Sequence, residues 1–132
     1  FGVDGFDGLL GVENFDVSLA DDVYLLTPFA ADATDDATKS FVSSYEEKFG
    51  GTPNQFAADA YDGVYILKES IEAAGLTPDA SNEEICDALI AQIQQVNYNG
   101  LTGENMTWND AGEVSKAPKA VIIKDGGYVS AE

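Results

Sequence analysis

Phe1-Gly2-Val3-Asp4-Gly5-Phe6 is the stretch that decides how this chain of 132 residues is interpreted. The pattern Gly-x-Asp-Gly-aromatic is typical of a strand end followed by a turn, because glycine tolerates the backbone angles that turns require. Such a turn leaves the Asp4 carboxylate at the mouth of a sheet, where an ammonium group could dock. The alternative for Asp4 is an Asp-Gly turn residue that caps only its own backbone.

Length and composition describe one domain's worth of chain. With 132 residues, 45% hydrophobic and 11% aromatic, it can bury a substantial core. No apolar run approaches the ~18 residues that a membrane span needs. The chain opens without an initiator methionine or a signal-like segment, and Asp4 and Asp7 follow at once. We therefore expect a mature, processed or truncated piece rather than an intact cytosolic protein.

The charge balance argues against partners that carry many negative charges. Twenty-four acids against six lysines and no arginine give a net charge of −18. Phosphate binding requires clustered Lys and Arg, so nucleic acids and anionic lipids are not expected as partners. We interpret the acidity as a means of staying soluble in a crowded or salty setting.

Several chemistries are missing from the chain. It has no histidine and one cysteine, Cys86, so it offers no Ser-His or Cys-His pair, no histidine for zinc and no CxxC motif. Cys86 lies in an apolar-periodic stretch and is predicted to be a buried small hydrophobe. We expect no cofactor, no metal and no enzymatic activity. A glycosidase-like acid pair is the enzymatic alternative, which a sequence cannot test.

Capping and periodicity predict one strand followed by three helices. Val23-Tyr24-Leu25-Leu26-Thr27, closed by Pro28, is typical of a buried strand. Asp32 or Thr34 is predicted to cap the first helix, with Asp35 and Asp36 in its first turn. The helix is predicted to end at Gly50-Gly51. These three aspartates lack calcium-loop spacing, so capping explains them more simply than a metal site. The second helix is predicted to begin at Thr52-Pro53, with proline at the first helical position, and to extend to Gly75. The third opens with a capping box of Ser81 and Glu84.

Each predicted helix has an apolar face. These faces comprise Ala37, Phe41, Val42, Tyr45 and Phe49 on the first helix, Phe56, Ala57, Ala60, Tyr61, Val64, Tyr65, Leu67 and Ile71 on the second, and Ile85, Ala88, Leu89 and Ile93 on the third. The remainder is rich in strand and turn signals. Met106-Thr107-Trp108 predicts a short strand, residues 119–123 predict a strong one, and Asp125-Gly126 predicts a hairpin turn into Tyr128-Val129.

The order of these elements does not suit a complete open sheet. Three helices follow one strand, whereas an open α/β sheet normally alternates the two. The fold class is therefore α/β, but incomplete, with terminal β-hairpins. We expect the chain to be part of a larger sheet protein.

Six segments carry a resemblance to a known family. They are Gly2-Val3-Asp4-Gly5-Phe6, the strand from Val23 to Phe29, Tyr45 to Gly50 before Pro53, Ala60-Tyr61-Asp62-Gly63, Gly100-Leu101-Thr102-Gly103 leading to Trp108-Asn109-Asp110-Ala111-Gly112, and the hairpin from Val121 to Tyr128. In order and spacing they resemble the carboxy-terminal segment of a branched-chain amino-acid-binding, type I periplasmic or extracellular solute-binding protein of an ABC importer. The resemblance covers essentially all 132 residues.

The resemblance implies a fold of two Rossmann-like lobes. Residues 1–132 would be a single segment, the carboxy-terminal part of the receptor, containing elements of both lobes. The helices from Pro53 and Ser81 would belong to the first lobe, and the strand at Val23, the helix at Asp35 and the last hairpins mainly to the second. Without the sheet of the first lobe, the truncated chain is expected to self-associate or to repack.

The resemblance also implies a function and a ligand site. The full protein would bind a branched-chain or similar amino acid outside the cytoplasm, as a periplasmic protein or surface lipoprotein, and present it to an ABC permease by lobe closure. Asp4 would pair with the ligand's ammonium, Phe56 would form an apolar wall unless it is core, and Phe6 would border the cleft or pack beneath it. The alternative function is the ligand-sensing domain of a signalling receptor with the same fold.

Overall fold

The computed structural model describes residue 10 and residues 12–131. The chain divides into two compact units. The first unit comprises Phe1–Gln55 and Pro118–Glu132, and the second comprises Phe56–Ala117. Among the described residues, no helix combines the length and the apolar character needed to cross a bilayer.

The first unit contains an antiparallel sheet of three strands in the order β1-β2-β3. The strands are β1 (Tyr24–Thr27), β2 (Lys119–Lys124) and β3 (Gly127–Ser130). Leu25 lies opposite Val121, and Ile122 lies opposite Val129. The predicted strand at residues 23–27 is confirmed, but only one of its faces is buried: Leu25 is 7% exposed and Leu26 is 63% exposed.

The turn between β2 and β3 follows the predicted Asp-Gly pattern. Asp125 and Gly126 have φ angles of 51° and 74°, the left-handed conformation that a tight two-residue hairpin requires. The Asp21 carboxylate accepts the Asp125 N–H at 3.0 Å and fixes the turn. One face of the sheet forms a small core with neighbouring segments, comprising Ala20, Leu25, Ala30, Val121 and Ile123, with Leu10, Phe15, Val23 and Tyr128 packed against it.

Helix α1 (Asp36–Phe49) is capped by Asp35, so the prediction of Asp32 or Thr34 as the cap was wrong. The Asp35 carboxylate accepts the Thr38 N–H at 2.8 Å, and that hydrogen bond lowers the pKa of Asp35. Asp32 serves another purpose, because its carboxylate accepts both the N–H and the hydroxyl of Ser130 on β3, each at 2.8 Å. Gly50 closes the helix in the left-handed conformation, as predicted.

Helix α2 (Gln55–Ala73) differs from its prediction in where it starts and in which face it buries. It begins at Gln55, so Pro53 precedes the helix and does not open it. The buried face is a stripe of every fourth residue: Ala58, Asp62, Ile66 and Ser70. The predicted burial of the apolar face was wrong, since its large side chains are exposed in this chain, namely Phe56, Tyr61, Val64, Tyr65, Leu67 and Ile71.

Helix α3 (Asn82–Ile93) opens with the predicted capping box. The Glu84 N–H donates to the Ser81 hydroxyl, and the Glu84 carboxylate accepts the Ser81 N–H at 2.8 Å. The predicted face at Ile85, Ala88, Leu89 and Ile93 is only half-buried. Cys86 is exposed, so its predicted burial was wrong, because it lies about 100° around the helix from Ile85.

The stretch after α3 forms loops rather than the predicted strand at residues 106–108. Isolated bridges pair Tyr98 with Met106 and Trp108 with Val114. The predicted turn at residues 109–112 is confirmed, because the Gly112 N–H donates to the Asn109 carbonyl at 2.9 Å. Each of these bridges pairs two residues in isolation, so neither of them extends into a β-strand.

Candidate functional site

Of the three residues predicted to bind a ligand, the structure describes Phe56. It is the second residue of α2 and is 58% exposed in this chain, so the choice between an apolar wall and core stays a prediction. Asp4 and Phe6 lie outside the described residues, so their roles stay predictions. An exposed aromatic ring at a helix start offers apolar surface that a ligand or another part of a larger protein can cover.

The Thr27 side chain at the end of β1 makes a hydrogen bond to the Gln55 side chain. The Thr27 hydroxyl accepts the Phe29 N–H at 3.2 Å and lies 2.9 Å from Gln55 Oε1, to which it can donate. Thr27 and Gln55 both belong to the first unit, so this hydrogen bond lies within that unit.

The Asp62 carboxylate is a buried polar group held by several hydrogen bonds. Asp62 is 2% exposed and lies in the buried stripe of α2. Its oxygens accept three hydrogen bonds, from the Leu101 N–H at 2.9 Å, the Thr102 N–H at 2.8 Å and the Thr102 hydroxyl at 2.7 Å. A buried carboxylate needs such donors to offset its desolvation. Asp62 therefore fastens the tip of the loop at residues 98–106, called the 98–106 loop below, to α2.

Glycines allow this loop to approach the carboxylate. A Cβ on Gly100 would lie 2.5 Å from each Asp62 oxygen and 2.5 Å from Tyr98 Cε1. A Cβ on Gly103 would lie 2.8 Å from Met106 Cγ and Sδ. The Gly100 N–H donates to the Gly103 carbonyl at 2.9 Å and closes the tip. Gly100 is thus required by space, independently of its φ angle.

Tyr98, at the base of the same loop, reports the environment around Asp62. Burial raises the pKa of Tyr98 to about 12, with further contributions from the negative charges of Asp62 and Glu69. A second tie lies nearby in the chain: Lys116 Nζ is 2.7 Å from Asp59 Oδ1, and both side chains are part-buried. The second unit thus holds its loops to α2 by acids on that helix.

The described contacts of Asp62 give it a positioning role. The three donors described on its carboxylate, two backbone N–H groups and one hydroxyl, all come from the 98–106 loop. Within residue 10 and residues 12–131, no group of three or more His, Cys, Asp or Glu side chains is placed to hold a metal ion.

A family model described as "Periplasmic binding protein" matches residues 11–127. The chain belongs to the periplasmic binding protein family. The α/β fold expected from the sequence is confirmed as part of the type I fold of that family. No curated protein sequence matches the chain.

Solved structures share the fold of this chain. The chain is 29% identical to a branched-chain amino acid ABC transporter protein from Rhodospirillum rubrum, with a TM-score of 0.60 over 84% of this chain. It is 24% identical to the leucine binding protein LivK from Thermotoga maritima, with a TM-score of 0.66 over 86%. The substrate binding protein LivJ from Streptococcus pneumoniae, in complex with isoleucine, is 21% identical with a TM-score of 0.66 over 86%. The chain spans 31%, 31% and 30% of these structures respectively.

The sequence patterns did not predict the contact between Asp62 and the 98–106 loop of this periplasmic binding protein. The resemblance alone drew attention to the two segments that form it, Ala60-Tyr61-Asp62-Gly63 and Gly100-Leu101-Thr102-Gly103. The available signal was an acid in register with Ala58 and Ile66 on one helix stripe, because an acid at such a position requires donors from elsewhere in the chain.

Proposed function

We propose that this chain is the carboxy-terminal part of an extracytoplasmic solute-binding protein that delivers a branched-chain or similar amino acid to an ABC permease. The observation that carries the proposal is the match of residues 11–127 to the periplasmic binding protein family, together with neighbours described as branched-chain amino acid transporters. Two neighbours are in complex with leucine and isoleucine. Because the chain covers about a third of such proteins, it would contribute part of the binding site.

Two kinds of ligand are found among the neighbours, and Asp4 favours one of them. Solute binding proteins from Rhodopseudomonas palustris are in complex with benzoate and with 3,4-dihydroxybenzoic acid. Those ligands and the amino acids share a carboxylate and an apolar body, but only the amino acids carry an ammonium group. A carboxylate such as Asp4 attracts an ammonium and repels an anion. We therefore propose Asp4 as the ammonium partner and the exposed Phe56 as the apolar wall, with Phe6 beside them.

Calorimetric titration of the gene product that contains these residues tests the ligand proposal. Leucine, isoleucine or valine is expected to bind more tightly than benzoate. Asp4→Asn is expected to weaken leucine binding by roughly 30-fold or more, because it removes a charge-assisted hydrogen bond. Phe56→Ala is expected to weaken it by roughly 10-fold through lost apolar contact.

The matched controls are Asp110→Asn and Phe49→Ala, which change an exposed acid and an exposed ring elsewhere. Both are expected to leave leucine binding unchanged. Benzoate bound in preference to leucine would reject the amino-acid proposal, and unchanged leucine binding in Asp4→Asn would reject the role of Asp4. Tight leucine binding by the 132-residue chain alone would contradict its status as part of a site.

We further propose that the isolated chain self-associates through α2. Phe56, Ala60, Val64, Leu67 and Ile71 follow helical spacing and are all exposed, although they form a face of α2 without a charged residue. In solved relatives three times as long, additional chain is available to cover such a face. In the isolated chain, a second copy of the chain supplies the apolar surface that can cover this face.

Sedimentation velocity tests the self-association. The wild-type chain is expected to form dimers or larger species, and Val64→Gln with Leu67→Gln is expected to shift it toward monomer, because two apolar contacts become polar. Ile90→Gln on α3 is the matched control, since Ile90 is 63% exposed and Val64 is 65% exposed. A wild-type chain that remains a monomer at tens of micromolar would show that the α2 face does not drive association.

A further inference from the structure

Within residue 10 and residues 12–131, the negative charge is carried almost entirely by exposed side chains for which the structure shows no ion pair. Asp4, Asp7 and Glu132 lie outside the described residues, and of the 21 acids that remain, 19 are exposed. The ion pairs within the described part of the chain are Lys68–Glu72 and Lys116–Asp59. With six lysines and no arginine in the sequence, pairing cannot neutralise this surface.

The exposed acids are also crowded along the chain. Adjacent exposed pairs occur in four places: Asp21-Asp22, Asp35-Asp36, Glu46-Glu47 and Glu83-Glu84. Capping bonds hold Asp35 and Glu84 in place as charged groups, and these bonds lower the pKa of each of the two carboxyls. These pairs are neighbours in the unfolded chain as well, but folding also gathers acids of distant segments onto compact units, whereas the unfolded chain can spread them apart.

The charges of this surface determine whether dissolved salt raises or lowers the stability of the folded chain. Screening weakens attraction and repulsion alike, and the screening length falls from about 10 Å at 0.1 M salt to about 3 Å at 1 M. Little attraction can be lost, since Lys68–Glu72 is an exposed pair of adjacent turns and such pairs contribute little. The repulsion among a net charge of −18 is the larger quantity. Salt should therefore stabilise the folded chain.

The apolar core offers limited compensation for that repulsion. The buried cluster under the sheet contains two alanines, Ala20 and Ala30, among its five members, and α3 has no fully buried residue. Small side chains bury less apolar area and stabilise less. The charge repulsion, which a large core would outweigh, is thus a substantial part of the net free energy of folding of this chain.

We propose that folding of this chain is conditional on a high concentration of monovalent cations, so that it is marginal or unfolded in dilute buffer and folded near molar salt. This property is independent of the ligand and the permease. It implies that the chain is built to work in a concentrated salt medium, where the same acidic surface remains hydrated and soluble.

Thermal unfolding of the 132-residue chain at several salt concentrations tests the proposal. Circular dichroism and Trp108 fluorescence would be followed in about 0.05 M, 0.5 M and 2 M KCl, at two protein concentrations to separate folding from association. The unfolding midpoint is expected to rise by at least about 10 °C across this range, or a transition is expected to emerge where dilute buffer gives none. NaCl is expected to act like KCl, because screening depends on ionic strength.

Two variants separate screening from a general effect of salt on apolar surface. The charge-reduced variant carries Glu13→Gln, Glu47→Gln, Glu69→Gln, Asp87→Asn and Glu104→Gln, all exposed sites that make no side-chain hydrogen bond described above. It is expected to be more stable in dilute buffer and to lose at least about half of the salt-dependent rise. The neutral control, with Ser43→Ala, Ser44→Ala, Gln94→Ala and Gln95→Ala, is expected to keep the wild-type rise.

Three results would overturn the proposal. A midpoint that is flat or falls with KCl would show that repulsion is not limiting. An equal rise in the charge-reduced variant would assign the effect to apolar surface. A chain that is unfolded at every salt concentration would show that cations do not complete its fold, whatever the outcome of the ligand titrations.

Discussion

Replacement of Asp62 by alanine is expected to destabilise the second unit by about 3–5 kcal/mol, which approaches the whole stability of a small domain. The Asp62 carboxylate is the acceptor for the Leu101 N–H, the Thr102 N–H and the Thr102 hydroxyl. Leu101 and Thr102 are buried, so their backbone donors would be left without a partner. A void would also remain beside α2 where the carboxylate had been.

Urea denaturation in high salt, followed by Trp108 fluorescence, measures this loss. Trp108 is the single tryptophan and lies in the same unit as Asp62. Asp62→Asn is expected to lose about 2–3 kcal/mol, because its amide group presents donors to donors. Asp87→Asn on the exposed side of α3 is the control and is expected to change stability by less than about 0.5 kcal/mol. Equal stabilities for the two asparagine variants would show that the carboxylate does not hold the 98–106 loop.

Local signals were sufficient where the structure depends on neighbours in the sequence. The Ser81–Glu84 capping box and the Asp125-Gly126 turn each involve residues within four positions, so their chemistry is legible in the chain. The first helix cap was misplaced by one to three residues for a related reason. Thr34 and Asp35 are both good caps, and only the backbone geometry selects Asp35.

The predictions that were wrong or missing concern contacts between elements that are distant in the chain. Asp62 and its donors are separated by 39 and 40 residues, so no local pattern joins them. The predicted face of α2 has the right periodicity for burial, yet Val64 is 65% exposed. Periodicity identifies which side of a helix is suited to be covered but does not supply the element that covers it. Asp4 and Phe6 lie outside the described residues, and they stay predictions.

Replacement of Gly100 by alanine is expected to cost about 2–4 kcal/mol, although it adds a single methyl group. That Cβ would meet both Asp62 oxygens at 2.5 Å. The carboxylate cannot retreat freely, because three hydrogen bonds fix it, so either the loop tip or those bonds must give way. Two other glycines of the unit calibrate the result. Gly63→Ala on α2 meets nothing within 4 Å and is expected to stabilise by about 0.5–1 kcal/mol, the usual gain in a helix.

Gly103→Ala should fall between these two, because the Met106 side chain in its way is flexible and can rotate aside. A double-mutant cycle then tests the origin of the Gly100 effect. With Asp62→Ala already present, two of the three obstructing atoms are gone, and Gly100→Ala is expected to cost about 1 kcal/mol or less. Additive losses in the double variant would instead assign the cost to Tyr98 Cε1, the remaining atom at 2.5 Å. The size of the coupling therefore measures how tightly the carboxylate and the loop tip are held together.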